Sequence, residues 1–88
     1  MPVPVAAITD ALTAAGLLVS VRGDAPTSVS AIADDSRRVV RGALFVAVRG
    51  VERDGHAFLD EAARGGASLA IVEDATRTTL PALVVRDV

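Results

Sequence analysis

Hydrophobic and polar positions form their clearest pattern between Ile32 and Asp60. The alternation of Val29, Ala31 and Ala33, which leads into this stretch, predicts a strand with one buried face. Leu44–Val48 is a continuous apolar run rich in branched and aromatic side chains, which predicts a strand covered on both faces.

Glycine and capping signals separate these two strands and introduce a helix after the second. Arg41-Gly42 predicts a turn, because glycine adopts a positive φ without steric cost. A glycine-bearing loop then leads to Asp54, a candidate N-cap, and to an apolar helix face that begins at Phe58. We therefore expect a helix from about Gly55 to Arg64 that ends at Gly65-Gly66.

The rest of the chain supplies shorter elements of the same kinds. The order of strand, helix and strand from Leu44 to Val72 predicts a crossover unit with parallel strands. The sequence thus predicts an α/β domain, built as a small mixed sheet with flanking helices. Its further predicted elements are a helix over Val5–Ala15, strands over Leu17–Val21, Val29–Asp34, Leu69–Val72 and Leu83–Val85, and a polar surface loop over Asp74–Thr79.

Composition narrows the class of protein. With 88 residues the chain is expected to form one domain, and with Phe45 and Phe58 as its only aromatic residues the core must be aliphatic. A net charge of −2 gives no general attraction to nucleic acid or membranes, and the absence of cysteine excludes disulfides and thiolate zinc sites. No apolar run approaches a membrane span and the first residues lack signal-peptide features, so a cytoplasmic protein is expected.

Candidate chemistry lies in the same central stretch. A loop that leaves a buried strand and enters a helix at Gly55 directs backbone N–H groups at one point, where an anion such as phosphate can bind. The spacing of Gly50 and Gly55 matches neither a dinucleotide fingerprint nor a P-loop. Ser36 follows a strand beside Arg37, and from the residues alone a turn serine bonded to its own backbone is the alternative to a binding role. His56 is the only histidine; without ligand partners at metal spacing it is expected to be structural.

The same motifs resemble a known family. Asp35-Ser36-Arg37, Gly42–Ala47, Gly50, Asp54-Gly55-His56 and Gly66-Ala67 together are similar to the N-terminal domain of the Mur ligases, most of all the MurE subfamily. The resemblance implies that residues 1–88 form one UDP-sugar-recognition domain of the Mur ligase N-terminal type. It places the ATP-binding central domain and the C-terminal domain outside this chain.

Residue roles follow from the resemblance by position. Ser36 would contact the diphosphate of the UDP-sugar, and the backbone of Asp34 would lie beside the uracil. Val51, Glu52 and Arg53 occupy the loop that wraps uracil and ribose in the family. Residues expected to support the site structurally are Asp35, Arg37, Gly50, Asp54, Gly55 and His56. The resemblance implies no catalytic residue, metal or cofactor in this chain, since ATP and magnesium belong to the central domain.

The implied function is substrate recognition within an ATP-dependent amide ligase of cytoplasmic peptidoglycan precursor synthesis. The MurE subfamily adds the third residue, diaminopimelate or lysine, to UDP-MurNAc-L-Ala-D-Glu, so the expected partners are a UDP-N-acetylmuramoyl-peptide and the remaining domains of the ligase. The 88-residue chain alone is expected not to catalyse the reaction. Two alternatives stay open: a MurF-type ligase that adds D-Ala-D-Ala, and a stand-alone, non-catalytic α/β binding module.

Overall fold

The computed structural model describes residues 2–47 and 58–86. Its two α-helices are α1 (Val5–Ala14) and α2 (Leu59–Arg64). The strands are β1 (Val3–Pro4), β2 (Leu18–Arg22), β3 (Ser28–Val29), β4 (Ile32–Ala33), β5 (Leu44–Ala47), β6 (Leu69–Val72) and β7 (Ala82–Val85). Single 3₁₀ turns lie at Ser36–Arg38 and Ala75–Arg77.

Five of these strands form one mixed sheet in the order β2-β7-β6-β5-β4. Strands β4, β5, β6 and β7 run parallel to one another, and β2 is antiparallel to β7. The parallel pairing of β5 with β6 across α2 confirms the predicted crossover unit. Strands β1 and β3 form a separate antiparallel pair, so the chain has the mixed α/β architecture expected from its sequence.

Both faces of the sheet are covered by apolar side chains. Leu44 and Phe45 are neighbours on β5 and point to opposite sides, because side chains alternate along a strand. Leu44 packs with Val5 of α1, whereas Phe45 packs with Leu59 of α2. The continuous apolar run at β5 is therefore a strand buried on both faces, as predicted, although Val48 lies outside the described residues.

The strand predicted over Val29–Asp34 is broken in the structure, and that prediction is wrong. Val29 belongs to β3, whereas Ile32 and Ala33 form β4 in the other sheet. The break falls at Ser30, whose N–H donates to the Gly42 carbonyl at 3.0 Å and whose hydroxyl donates to the Arg41 carbonyl at 2.7 Å. These bonds to the turn before β5 replace the ladder bonds that a continuous strand would make.

Both helices end where glycine placement predicts. After α1, Gly16 has φ +73° and the Leu17 N–H donates to the Leu12 carbonyl, which is the Schellman arrangement. After α2, Gly66 has φ +108° and the Ala67 N–H donates to the Ala62 carbonyl in the same arrangement. Within the described residues α2 begins at Leu59, and the predicted start at residues 55–57 lies outside them.

The connection between β6 and β7 is more ordered than the predicted polar loop. Asp74 caps a 3₁₀ turn there, its carboxylate accepting from the Thr76 N–H at 3.0 Å and from the Thr76 hydroxyl. Ala75 and Leu80 pack against the core cluster on the α2 side, which gives this connection an apolar inner face. No helix among the described residues is long and apolar enough to cross a membrane.

Three loops meet at the amino ends of β4, β5 and β6. The Gly42 N–H donates to the Gly66 carbonyl at 2.8 Å, and the Ser68 hydroxyl donates back to the Gly42 carbonyl at 3.0 Å. The Ser68 N–H donates to the Ala43 carbonyl at 2.9 Å. Together with the Ser30 bonds, these contacts fix the turn before β5 at the amino end of the sheet.

Candidate functional site

The sheet topology gives one edge at which functional residues can gather. Because β4 and β5 are adjacent and parallel, both strands end at the carboxyl end of the sheet, where Asp34 follows β4. Ligands of open α/β sheets bind at this end of the strands. The described residues at this end are 34–38, which include the predicted site residues Asp34 and Ser36.

Asp35 and Arg37 shape the turn around Ser36. The Asp35 carboxylate accepts from the Arg37 N–H at 3.0 Å and so caps the 3₁₀ turn. Its two oxygens also accept from the guanidinium, Oδ1 from Nε at 3.2 Å and Oδ2 from Nη2 at 3.0 Å. This bidentate pair fixes the direction of the turn. The support that Asp35 and Arg37 would give to a binding site stays a prediction.

Ser36 is the one residue of the Asp35-Ser36-Arg37 triplet whose side chain takes no part in these hydrogen bonds. Its side chain is half-buried, and its hydroxyl has no hydrogen-bond partner among residues 2–47 and 58–86. The alternative role considered from sequence, a side chain bonded to its own backbone, is filled by Asp35 instead. At the carboxyl end of β4, no described residue uses the hydrogen-bonding capacity of the Ser36 hydroxyl.

Electrostatics at the turn reflect the same pairing. The side-chain hydrogen bond from Arg37, with its backbone N–H, lowers the pKa of Asp35 from 3.8 to about 2. The Asp35 hydrogen bond raises the pKa of the Arg37 side chain in return. Because Arg37 is 76% exposed, the pair is a surface interaction that orients the turn more than it stabilises the fold.

The turn is also attached to the apolar core. It packs against α2, and Val39, the residue after it, lies against the core cluster that contains Phe45 and Leu59. Sequence reasoning did not assign a role to Val39. The available signal was an apolar residue directly after a run of charged ones, which indicates that the chain turns back onto the core there.

The dependence of stability on pH should reveal the contribution of the Asp35–Arg37 pair. Since the pKa of Asp35 in the folded chain, about 2, lies below its ordinary value of 3.8, the ionised carboxylate stabilises the fold above about pH 4. That contribution is lost as pH falls towards 2. Asp35→Asn is therefore expected to show a shallower decline of the urea midpoint between pH 4 and pH 2 than the parent chain.

A matched control for this measurement is Asp10→Asn, an exposed carboxylate on α1. It should leave the acid decline of the parent chain unchanged. An Asp35→Asn profile that parallels the parent chain down to pH 2 would contradict the assignment.

The structure brings four of the predicted site residues together. Asp34, Asp35, Ser36 and Arg37 are contiguous at the carboxyl end of β4, with Asp34 exposed. The predicted site residues that lie outside the described residues are Gly50, Val51, Glu52, Arg53, Asp54, Gly55 and His56. Their roles stay predictions, as does the contact between their loop and Ser36.

Comparison with curated proteins finds ligases of two specificities. The chain is 44% identical over 57 residues to the UDP-N-acetylmuramoyl-L-alanyl-D-glutamate–2,6-diaminopimelate ligase of Cytophaga hutchinsonii, which covers 65% of this chain and 12% of that protein. It is 38% identical over 63 residues to the UDP-N-acetylmuramoyl-tripeptide–D-alanyl-D-alanine ligase of Escherichia coli K12, which covers 72% of this chain and 14% of that protein. The chain therefore spans about an eighth of the length of these relatives.

Structural comparison agrees with the sequence. The crystal structure of MurF from Acinetobacter baumannii superposes with a TM-score of 0.79 at 26% identity, over 99% of this chain and 18% of that one. The family model described as "Mur ligase family, catalytic domain" matches residues 28–87. That this chain itself holds no catalytic residue stays a prediction. Since the matched residues include the Asp35-Ser36-Arg37 turn and every strand from β3 to β7, the chain belongs to the Mur ligase family.

Proposed function

We propose that this chain recognises the uridine diphosphate part of a UDP-N-acetylmuramoyl-peptide within an ATP-dependent ligase of peptidoglycan precursor synthesis. The observation that carries the proposal is the Ser36 hydroxyl, which is without a partner among the described residues and is held at the carboxyl end of β4 by the Asp35–Arg37 pair. The UDP-N-acetylmuramoyl ligases among the relatives support it.

The chemistry of the turn suits one oxygen of a diphosphate. A hydroxyl donates a strong hydrogen bond to an anionic oxygen, and such bonds are short and directional. Arg38 follows directly and has no ion-pair partner among the described residues, so it adds positive potential beside Ser36. The exposed Asp34 carboxylate would repel phosphate, which favours a pose with the diphosphate on the Ser36–Arg38 side and the base nearer Asp34.

In this proposal the chain contributes binding and orientation. ATP and magnesium, held by the rest of the ligase, would convert a substrate carboxylate into an acyl phosphate with release of ADP. The amine of the incoming residue would then attack the carbonyl and release phosphate, forming the amide bond. Holding the UDP end in one place positions the distant carboxylate for this reaction, which is how remote binding energy assists catalysis. ATP and such a substrate place the reaction in the cytoplasm.

We further propose the MurE type, which adds the third residue to UDP-MurNAc-L-Ala-D-Glu. Six relatives named as 2,6-diaminopimelate ligases, 35–50% identical to the chain over 46–63 residues, support it. The D-alanyl-D-alanine ligase of Escherichia coli is 38% identical over 63 residues. The MurF type remains the second candidate, because the structure of Acinetobacter baumannii MurF superposes over nearly the whole chain. Ligation assays with the longer protein that contains this chain, offered diaminopimelate, lysine or D-Ala-D-Ala, would separate the two.

Titration with UDP tests the binding proposal on the 88-residue chain itself. Millimolar UDP is expected to shift the backbone amide signals of Asp34–Arg37 and of the predicted loop Val51–Gly55 in NMR spectra. Ser36→Ala should weaken this binding by about ten- to hundredfold, the loss expected for one hydrogen bond to a charged oxygen. The folded spectrum should be retained, because the Ser36 hydroxyl bonds to no described residue.

Ser20→Ala is the matched control, since Ser20 is equally half-buried but lies on β2, at the other edge of the sheet. It should bind UDP as the parent chain does. Shifts confined to residues outside the carboxyl end of the sheet would refute the site. If no amide moves, and the longer protein also fails to bind UDP, the stand-alone module becomes the better description.

A further inference from the structure

A second cleft lies at the far end of the sheet from Ser36. It has a volume of about 660 Å³ and opens between the turn after β2 and the β6–β7 connection. Arg22 pairs with Ala82 at the start of β7, so the cleft is at the amino end of the parallel strands. Ser36 follows the carboxyl end of β4, which is the opposite edge strand from β2. The two sites therefore do not share residues.

One part of the cleft lining consists of hydrogen-bond donors. The Thr78 hydroxyl oxygen accepts from the Leu80 N–H at 3.1 Å, which leaves its own proton free to donate. The Thr79 hydroxyl and the Arg22 guanidinium, both exposed, have no partner among the described residues. Three donors, one of them cationic, thus line a single cleft.

Another part of the lining offers acceptors. The Thr76 hydroxyl donates its proton to Asp74 Oδ1 at 2.6 Å. The Thr76 oxygen can therefore only accept a hydrogen bond from a ligand. Asp24 adds an exposed carboxylate that has no partner among the described residues. Arg22 and Asp24 flank Gly23 in the same turn, yet no ion pair joins them. A ligand with both an anionic and a donor group would satisfy both side chains at once.

The two walls are held together by a close backbone contact. Gly23 has φ +73°, and a Cβ on it would lie 3.3 Å from the Pro81 Cα. Leu80 and Pro81 are half-buried and form an apolar part of the lining, which a short hydrocarbon group could cover.

We propose that this cleft binds a small carboxylate with a donor group on the neighbouring carbon, namely an α-hydroxy or α-amino acid. The ligand carboxylate lies against Arg22 and the Thr78 and Thr79 hydroxyls. Its hydroxyl or ammonium group donates to Asp24 and Thr76, and its hydrocarbon part covers Leu80 and Pro81. The cleft is a second site, independent of the proposed recognition of UDP.

NMR titration of the 88-residue chain with L-lactate, L-alanine and acetate tests this assignment. Lactate, alanine or both are expected to bind at millimolar concentration and to shift the amides of residues 22–24 and 76–80. Acetate, which lacks the donor group, should bind at least threefold more weakly. Arg22→Gln should raise the dissociation constant about tenfold, and Asp24→Asn should remove the preference over acetate.

Arg64→Gln is the control, because Arg64 is an exposed arginine on α2 that does not line the cleft. It should bind the parent chain's ligand with unchanged affinity. The comparison between lactate and alanine shows which donor group is preferred. The proposal is overturned if neither ligand, at 50 mM, moves the amide signals of residues 22–24 and 76–80. It is also overturned if acetate binds as tightly, or if Arg22→Gln and Arg64→Gln bind alike. UDP should leave these amides in place, so the outcome is separate from that of the UDP titration.

Discussion

Replacing Phe45 with alanine is expected to lower the free energy of unfolding by about 3–5 kcal/mol. Phe45 is 1% exposed and has the largest of the fully buried side chains among the described residues. Its ring packs with Leu59 and Ala62 of α2 and with Val72 of β6. Small alanine and valine neighbours cannot extend into the volume that the ring leaves, so most of the cavity would persist. Urea denaturation followed by circular dichroism measures the loss.

Val40→Ala provides the comparison for this measurement. Val40 is 52% exposed, and its truncation should change the free energy of unfolding by less than about 0.5 kcal/mol. A loss below about 1 kcal/mol for Phe45→Ala would show that the ring does not fill the core between α2 and the sheet. Because small domains have only about 5–15 kcal/mol of stability, the expected loss could leave a large fraction of the variant unfolded.

Gly66→Ala is expected to cost about 2–4 kcal/mol, from backbone strain and a steric clash together. Gly66 has φ +108°, and a Cβ there would lie 2.9 Å from the Cα of Arg41. The contact is with backbone, so relief requires the turn before β5 to move. Such a movement would weaken the 2.8 Å hydrogen bond from the Gly42 N–H to the Gly66 carbonyl.

Gly16→Ala separates the two causes. Gly16 ends α1 in the same arrangement with φ +73°, but a Cβ there meets nothing within 4 Å. Only conformational strain remains, and the expected cost is about 1–2 kcal/mol. Equal losses for the two variants would mean that the approach of Gly66 to Arg41 contributes nothing. The measurement is again the urea midpoint, with the amide of Gly42 as a local NMR probe.

Local chemistry made the helices and buried strands predictable from sequence. Gly16 and Gly66 mark helix ends because they alone tolerate the left-handed conformation there. The run Leu69–Val72 is a strand buried at every position, as its composition indicates. The break at Ser30 could not be predicted, because its cause is a pair of bonds to Arg41 and Gly42, distant in sequence. Alternation of exposure persists through the break, so the pattern gave no warning.

The sequence indicated where the candidate site lies, but not which side chain in it would cap the turn. A charged cluster after a strand indicated residues 34–37. Which side chain would cap the turn depends on geometry, since Asp35 and Ser36 are both capable of it. The structure assigns the cap to Asp35 and leaves the Ser36 hydroxyl without a hydrogen-bond partner among the described residues. The cleft beside Arg22 has no local signal at all, because β2 and the β6–β7 connection meet only through the pairing of β2 with β7.

The position of β7 between β2 and β6 has a consequence for synthesis on the ribosome. Strands β4, β5 and β6 can pair as soon as they emerge, because each neighbours the next along the chain. Strand β2 emerges early but has no partner in its sheet until β7, the last strand among the described residues, follows. Until then β2 and β6 each have an edge with unpaired backbone groups. The core cluster against which α1 packs also lacks Leu83 and Val85. Nascent chains that stall before Val85 are thus the form of this protein most exposed to mispairing and aggregation.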